Sequence, residues 1–220
     1  MSTQRMSKLR AHWRTHVTAI GGFDAGLANK AFDALCESYS EPQRHYHTLD
    51  HVVALFDILE LYADEIGDVS RLAFAVWYHD CVYDPQAKDN EELSAKRAAQ
   101  EMKALGAHPL LVDRVTKLIL ATKNHMGASG GDYDDDVFLD ADFAILGAPP
   151  VEYRAYLAGV REEYAHLSDT EWKNGRGPFL ERIVTAPRIF RTGIFEGAYG
   201  AQARTNIKAE LRTLELASDV

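Results

Sequence analysis

Apolar side chains recur every three or four residues along most of this chain, and this periodicity restricts it to helical folds. The segment that follows Asp24 shows the pattern clearly, with an apolar face of Leu27, Phe32 and Leu35. It ends before Pro42, because the residue before a proline avoids the helical region. No stretch of useful length alternates between apolar and polar residues as a half-buried strand does. The sequence therefore predicts an all-α fold.

Capping residues and turns predict where the two central helices begin and end. Thr48 is the predicted N-cap of a helix that continues to about Glu65, and Ser70 that of a helix that continues to about Tyr83. A Gly-Asp pair at 67–68 makes the turn between them. Two helices joined by so short a turn lie antiparallel. Residues near the start of the first helix are therefore expected beside the end of the second.

Weaker signals mark other boundaries. Pro109 suits the first position of a further helix, whereas the acidic, glycine-rich residues 126–136 are predicted to form a loop. Two glycines and Pro178 are expected to break a helix that has a capping box at its start, which places Arg176 in a turn. The last helix is predicted over residues 202–216.

Length, charge and cysteine content narrow the classes of function. A chain of 220 residues is long enough for one sizeable core, so we predict a single domain over residues 1–220. A net charge of −9 argues against binding to duplex nucleic acid or to an anionic membrane. No apolar run approaches the ~18–20 residues of a transmembrane helix, and two cysteines are too few for a disulfide framework. We expect a cytoplasmic protein, and the sequence is compatible with a homodimer.

The residues between Arg44 and Asp84 carry most of the reactive side chains. This stretch begins R-H-Y-H-T-L-D-H-V, and near its end a His79-Asp80 pair follows an apolar run. A carboxylate at the end of an apolar helix is costly to desolvate unless it is paired, and the neighbouring imidazoles suggest a metal ion. His51 lies sixteen residues before Gly67 and His79 twelve after it. An offset of four residues is ~6 Å along a helix axis, so both side chains can reach one ion.

The neighbouring side chains have different predicted roles. His51 aligns with the apolar stripe of its helix and is the better ligand, whereas His47 precedes the N-cap and suits a proton donor. A further ligand must come from downstream, where Asp140 and Asp142 lie in the apolar segment F-L-D-A-D-F-A-I-L-G. Residues two apart on a helix point in different directions. We therefore expect one of them to bind metal and the other to cap a helix or to accept a hydrogen bond near the site.

These motifs resemble the HD superfamily of metal-dependent phosphohydrolases. The segments D-N-E-E-L-S-A, R-E-E-Y and G-R extend the resemblance to a bacterial family of predicted HD phosphohydrolases, and it covers roughly Leu9 to Leu214. It implies an HD-domain helical bundle with a core of about residues 40–147 and additional N- and C-terminal helices packed on it. The metal ligands that the resemblance implies are His51, His79, Asp80 and Asp142.

Two other families suggest the catalytic residues. The Y-H-x-x-x-H arrangement is similar to that of animal cyclic nucleotide phosphodiesterases, in which the first histidine donates a proton; His47 is then the general acid. The segment H-D-C-V-Y-D partly resembles the H-D-x-x-E-D motif of alarmone hydrolases. Asp84 matches and is a candidate for orienting water, but Tyr83 replaces the glutamate, which argues against alarmone as the substrate.

Further polar side chains are candidates for binding a phosphorylated substrate. Arginine and lysine side chains can bind phosphate, and a tyrosine can hydrogen-bond to a base or stack on it. A glutamate can orient the attacking water, and one further histidine lies at the end of a predicted helix. The predicted substrate-binding residues are Arg44, Tyr46, Glu91, Lys123, His125 and Arg176. Arg176 has an alternative role as a bridge between neighbouring helices.

The predicted activity is hydrolysis of a phosphoester or phosphoanhydride in a nucleotide or other small phosphate compound. The expected cofactor is a divalent ion (Mn, Fe, Co, Ni, Zn or Mg), because two histidines and two aspartates suit all of them. Such an ion activates water and polarises a phosphoryl oxygen. Two alternatives stay open. A di-iron oxygenase of the HD type calls for more histidines, and a non-catalytic metal- or nucleotide-binding regulatory module predicts a bound ligand without turnover.

Overall fold

The structure is a computed structural model, and it describes residues 3–21, 24–127 and 131–216. Every regular element in these ranges is helical, which confirms the predicted all-α fold. None of the described helices is both long enough and apolar enough to cross a membrane. The α-helices, in chain order, are α1 (Thr3–Ala19), α2 (Ala25–Ser38), α3 (Leu49–Leu61), α4 (Val69–Tyr78), α5 (Asn90–Ala104), α6 (Pro109–Ala121), α7 (Tyr133–Phe143), α8 (Pro150–Glu163), α9 (Asp169–Thr185) and α10 (Gly193–Leu216).

The chain forms two compact units, Met1–Asn124 and His125–Val220. Helices α1 to α6 belong to the first unit and α7 to α10 to the second. The sequence predicts a single domain with a core of about residues 40–147, and the boundary between the two units lies inside that range.

Helix α4 is the centre of the first unit. It contacts α1, α3, α5 and α6, and its residues from Arg71 to Tyr78 are all buried. Trp77 makes edge-to-face contacts with Trp13 of α1 and Phe32 of α2, at ring distances of 5.7 and 5.5 Å. Such aromatic pairs contribute ~0.5–1.5 kcal/mol beyond the area they bury. The apolar run before His79 is therefore the core of this unit.

Most of the predicted helix starts in the first unit agree with the structure. Thr48 caps α3, and Pro109 is the first residue of α6. Gly106 has a φ of 84°, a left-handed conformation that favours glycine, and it follows the end of α5. The cap of α4 differs, because the Asp68 side chain rather than that of Ser70 accepts the hydrogen bond from the first turn.

Three predictions for the second unit are wrong. Helix α7 begins inside the predicted loop, because Asp132 and Asp135 form a capping box. Helix α9 continues through Pro178, so Arg176 lies within a helix and not in a turn. Helix α10 begins at Gly193, well before residue 202. In both long helices, packing of a buried face outweighs the poor helix propensity of glycine and proline. The buried residues are Arg176, Leu180 and Ile183 in α9 and Phe195, Ala203 and Ile207 in α10.

Candidate metal centre

Two histidines lie at neighbouring ends of the antiparallel pair α3 and α4. His51 is the third residue of α3, whose first turn is capped by the Thr48 side chain. His79 follows the last residue of α4, and its N–H still donates to Ala75 O at 2.9 Å. His51 is 6% exposed and His79 1%. The ends of the two helices thus hold both rings inside the first unit, as the spacing from the turn predicted.

The side chains of His51, His79 and Asp80 converge on one small volume. His51 Nε2 lies 3.1 Å from His79 Nε2, and His79 Nε2 lies 3.2 Å from Asp80 Oδ2. The third separation, from His51 Nε2 to Asp80 Oδ2, is 4.0 Å. Ligand atoms ~2.1 Å from a metal ion are ~3.0–3.4 Å apart at tetrahedral or octahedral angles. Two of the three distances fit that range and the third is somewhat wider, so these residues suit a divalent ion.

A backbone carbonyl orients the His79 ring. His79 Nδ1 lies 3.0 Å from Val76 O, which is buried in the last turn of α4. A carbonyl oxygen only accepts hydrogen bonds, so Nδ1 carries the proton and Nε2 of the neutral ring carries a lone pair. Metal-binding histidines use this same arrangement, in which the second ring nitrogen donates to a carbonyl or carboxylate group.

His47 lies at the more exposed side of the group. Its side chain is 22% exposed, and its Nε2 is 3.8 Å from Asp80 Oδ2. The His47 ring packs against Tyr83 at 4.4 Å and against Tyr46 at 5.0 Å, and Tyr46 also lies 5.1 Å from the His51 ring. The structure thus brings His47 and Tyr46 to the predicted metal ligands. Their predicted roles, proton donor and base-binding residue, stay predictions.

Arg44 connects the segment before α3 to the end of α4. Its Nη1 donates to His47 O at 3.1 Å and to Asp80 O at 2.8 Å. Its guanidinium lies over the Tyr39 and Tyr83 rings, and the side chain has no exposed surface. A buried guanidinium that already donates to two carbonyl groups is poorly placed to bind a substrate. These contacts favour a positioning role for Arg44 over the predicted contact with phosphate.

Three other predicted residues lie at the surface of the first unit. Asp84 is exposed, and its Oδ1 accepts a hydrogen bond from Gln86 N at 2.9 Å. Lys123 donates to both carboxylate oxygens of Glu92 at 2.6 and 2.8 Å and lies 3.7 Å from Glu91. Binding of phosphate by Lys123 would require this ion pair to open. The catalytic role of Asp84 and the substrate-binding roles of Glu91 and Lys123 stay predictions.

In the second unit, Asp140 is an acceptor that ties α7 to the start of α10. Its Oδ1 accepts from Arg191 N at 2.7 Å, and its Oδ2 accepts from Thr192 N and Thr192 Oγ1 at 2.8 and 2.7 Å. Asp140 is 2% exposed, and burial raises the pKa of its carboxyl group against the opposing effect of these hydrogen bonds. The sequence predicted that one of the two aspartates would cap a helix or accept a hydrogen bond, and Asp140 is an acceptor for residues that precede α10.

Asp142 forms a pair with His125 in the same unit. Asp142 Oδ2 lies 2.8 Å from His125 Nε2, and the His125 ring stacks on Phe143 at 4.2 Å. The backbone that follows is held by Arg191, whose Nη2 donates to His125 O and Gly127 O at 2.8 Å each. Asp142 is therefore already oriented by a histidine. Its predicted role as a metal ligand and that of His125 in substrate binding stay predictions.

Arg176 lies in a buried polar cluster of the second unit. Its Nε donates to Glu210 Oε1 at 2.8 Å, and its Nη2 lies 3.1 Å from Tyr156 Oη. Burial alone lowers the pKa of Arg176, but Tyr156 and Glu210 outweigh it and raise that pKa. The contacts favour the alternative that Arg176 bridges α9 and α10. They lend no support to its predicted contact with substrate.

Sequence reasoning missed two residues that shape these sites, Val76 and Arg191. Val76 contributes only its backbone carbonyl, which orients the His79 ring. The spacing of three residues before a histidine at a helix end is the sequence feature that could have predicted this contact. Arg191 contacts a carbonyl 66 residues earlier in the chain, and no local pattern indicates such a contact. Cys81, beside the His-Asp pair, is buried, and burial raises the pKa of its thiol to about 12, which disfavours the reactive thiolate.

Comparisons with known proteins add no further support. No family model, no curated protein and no solved structure matched the chain. The resemblance to HD phosphohydrolases therefore depends on the sequence motifs alone and stays a prediction, as do the activity and the cofactor.

Proposed function

We propose that this protein is a metal-dependent phosphohydrolase that cleaves a phosphoester or phosphoanhydride in a nucleotide or another small phosphate compound. One observation carries most of the proposal, namely the 3.1 Å between the Nε2 atoms of His51 and His79. In the neutral ring that donates from Nδ1 to Val76 O, His79 Nε2 presents a lone pair. With Asp80 Oδ2 3.2 Å away, this is an electron-rich cluster that a divalent cation would stabilise.

The residues that would hold the ion are His51, His79 and Asp80, and the family resemblance adds Asp142. Two imidazoles with carboxylates suit Mn, Fe, Co, Ni or Zn, and Mg with more water ligands. When bound, such an ion would polarise a phosphoryl oxygen and make water a better nucleophile at neutral pH.

The remaining chemistry falls to side chains around the ligands. His47 is partly exposed and lies 3.8 Å from Asp80, so we assign it the transfer of a proton to the leaving oxygen. Arg44 would fix the positions of His47 and Asp80 relative to each other by donating hydrogen bonds to both of their carbonyl groups. Asp84 keeps its proposed role in orienting the attacking water. The expected setting is the cytoplasm, with a small phosphorylated substrate, no duplex nucleic acid and no membrane, and the chain is compatible with a homodimer.

Metal binding is the first test. Metal is removed from the purified protein with a chelator, and the protein is dialysed against Mn²⁺, Co²⁺, Ni²⁺ or Zn²⁺. Bound metal is then measured by inductively coupled plasma mass spectrometry. His79→Ala and Asp80→Ala should lose the ion that the wild type retains. His45→Ala is the matched control, because His45 is exposed and only two residues from His47. Equal metal content in all four proteins would exclude this site.

Activity is tested with the same proteins. We expect metal-dependent release of phosphate from at least one nucleotide or generic phosphoester, and a loss of more than ~100-fold in His79→Ala and Asp80→Ala, because even outer-shell changes cost 10–100-fold. Asp142→Asn should reduce activity, whereas Asp140→Asn should act chiefly on stability. Stoichiometric metal without turnover on any substrate would contradict the hydrolase and favour the regulatory module.

A further inference from the structure

The residues that follow the cap of α4 carry part of the proposed active site. Residues 80–84 form neither helix nor strand, and we call them the connecting segment. It contains Asp80, a proposed metal ligand, and Tyr83, whose ring packs on the His47 ring at 4.4 Å. Buried backbone groups need hydrogen-bond partners, and a segment without regular structure must find most of them outside itself. The groups that supply these partners therefore help to place Asp80 and Tyr83.

Side chains from other parts of the first unit donate to every carbonyl group of the connecting segment. Three of the donors come from α5, and two come from residues that precede α3. In the order of the carbonyl groups from Asp80 O to Asp84 O, the donors are Arg44 Nη1, Arg97 Nη1, Ser94 Oγ, Gln43 Nε2 and Asn90 Nδ2, at 2.8, 3.4, 3.3, 3.3 and 2.8 Å. The backbone here is therefore held by side chains and not by a helix or a sheet.

Two of these side chains, Asn90 and Ser94, each bind both backbone groups of one residue. Ser94 Oγ accepts from Val82 N at 3.1 Å and donates to Val82 O. Asn90 Oδ1 accepts from Asp84 N at 3.0 Å, and its Nδ2 donates to Asp84 O. A hydroxyl and an amide group can do this, because each has a donor and an acceptor. Alanine at either position would remove two hydrogen bonds at once.

The spacing of Asn90 and Ser94 places Tyr83 between them. Residues four apart lie on the same face of a helix, and these two pair with the connecting segment in reverse order. They hold the residues on either side of Tyr83, which is only 9% exposed. Both belong to D-N-E-E-L-S-A, a segment to which the proposed mechanism gives no role. Ser94 is fully buried, so a direct contact with substrate does not explain it.

We infer that Asn90 and Ser94 are positioning residues of the candidate metal centre. They hold the connecting segment so that Tyr83 packs on His47 and Asp80 Oδ2 lies near the proposed histidine ligands. The role of the ion rests on the proposed function. The placement of Tyr83 does not, so it can be tested without metal.

The first test follows the His47 ring protons by NMR in metal-free protein. They are assigned by their absence from His47→Gln, at about pH 8.5, where an ordinary imidazole is neutral. Tyr83→Leu removes the aromatic ring and defines the chemical shift that His47 has without it. In the double variant Asn90→Ala/Ser94→Ala, the His47 resonances should move most of the way to that value. Thr116→Ala is the control, because it removes a hydroxyl that bonds to carbonyl groups of its own helix α6, and it should leave them unchanged.

The second test measures metal affinity by competition with a chromophoric chelator. The double variant should bind Zn²⁺ or Co²⁺ about 10- to 100-fold more weakly than the wild type, the range for groups that orient metal ligands. Each single variant should fall between the two, and Thr116→Ala should bind like the wild type. Thermal unfolding identifies the folded variants. If the double variant does not fold, Asn90→Ala, at a half-buried position, carries both tests.

The two tests separate this inference from the proposed function. Unchanged His47 resonances in the folded variant would overturn the inference, and so would unchanged metal affinity in a protein whose wild type binds metal. A wild type that binds no metal would contradict the proposed function, and the His47 resonances alone would then decide the inference.

Discussion

The stability of the first unit is expected to depend on pH through His16, a buried residue of α1. His16 is 7% exposed, and its Nδ1 lies 3.2 Å from Ser70 Oγ. Burial, and to a smaller extent the neighbouring His12, lowers the pKa of His16 from 6.5 to about 4. The unfolded chain therefore takes up a proton before the folded chain does. Stability that is present at neutral pH is lost as the pH falls through 6.5 toward 4.

The size of the effect follows from the two pKa values of His16. The difference between 6.5 and about 4 corresponds to roughly 3 kcal/mol, at about 1.36 kcal/mol per pKa unit. About 2 kcal/mol of this should already be lost at pH 5, where the unfolded ring is mostly charged and the folded ring mostly neutral. That is a large share of the ~5–15 kcal/mol that stabilises most proteins.

Urea unfolding at pH 7.5 and pH 5.0 measures this loss. The chain has three tryptophans, and in a Trp172→Phe background the remaining two, Trp13 and Trp77, both report on the first unit. The comparison is with His16→Gln, whose side chain can still hydrogen-bond to Ser70 but does not titrate. Between pH 7.5 and pH 5.0, the free energy of unfolding should fall by about 2 kcal/mol more in the protein with His16 than in His16→Gln. Carboxylates titrate in both proteins, so equal losses would refute the reasoning.

Three other changes test single contacts, with urea unfolding as the measurement. Asp140→Ala should cost at least ~1–3 kcal/mol, because the buried N–H of Thr192 loses its acceptor and the half-buried N–H of Arg191 loses its own; unchanged stability would contradict its role as their acceptor. Arg176→Met should cost about 3–5 kcal/mol, because the buried Glu210 carboxylate loses its cationic partner and keeps only the Tyr153 hydroxyl, and the double variant with Glu210→Met should cost less; an additive loss would speak against the pair. Arg44→Met should cost roughly 2–6 kcal/mol, since two carbonyl groups lose their donor, and a surface-like loss below ~0.5 kcal/mol would contradict its positioning role.

The helices could be predicted from the sequence wherever a local signal decides the structure. Thr48 and Pro109 start their helices as expected, because a capping hydroxyl and the fixed φ of proline act within one turn. The same local rules failed at Pro178 and Gly193, where packing of a buried face keeps α9 and α10 helical. Propensity differences of ~1–3 kcal/mol are small beside the burial of several large side chains.

Some residues of the candidate site could likewise be predicted from local signals in the sequence, whereas others could not. His51 and His79 could be matched from the sequence, because a short turn and the rise per residue fix their offset along antiparallel helices. The distinction between Asp140 and Asp142 could not be made. It depends on the N–H groups of Arg191 and Thr192, which lie 51 and 52 residues away from Asp140. Only the fold brings such groups together.

The burial of α4 explains why its last turn orients His79, the proposed metal ligand. The final carbonyl groups of a helix lack partners within it, and here the turn is buried, where protein groups serve as partners. Trp77 O accepts from the Tyr39 hydroxyl at 3.2 Å, and Tyr78 O accepts from a backbone N–H three residues later at 3.3 Å. Val76 O takes its hydrogen bond from His79 Nδ1. The bond that satisfies the helix end therefore also fixes the proton on Nδ1. In the neutral ring the lone pair on Nε2 then faces His51, so the buried helix end and the proposed metal site require the same tautomer.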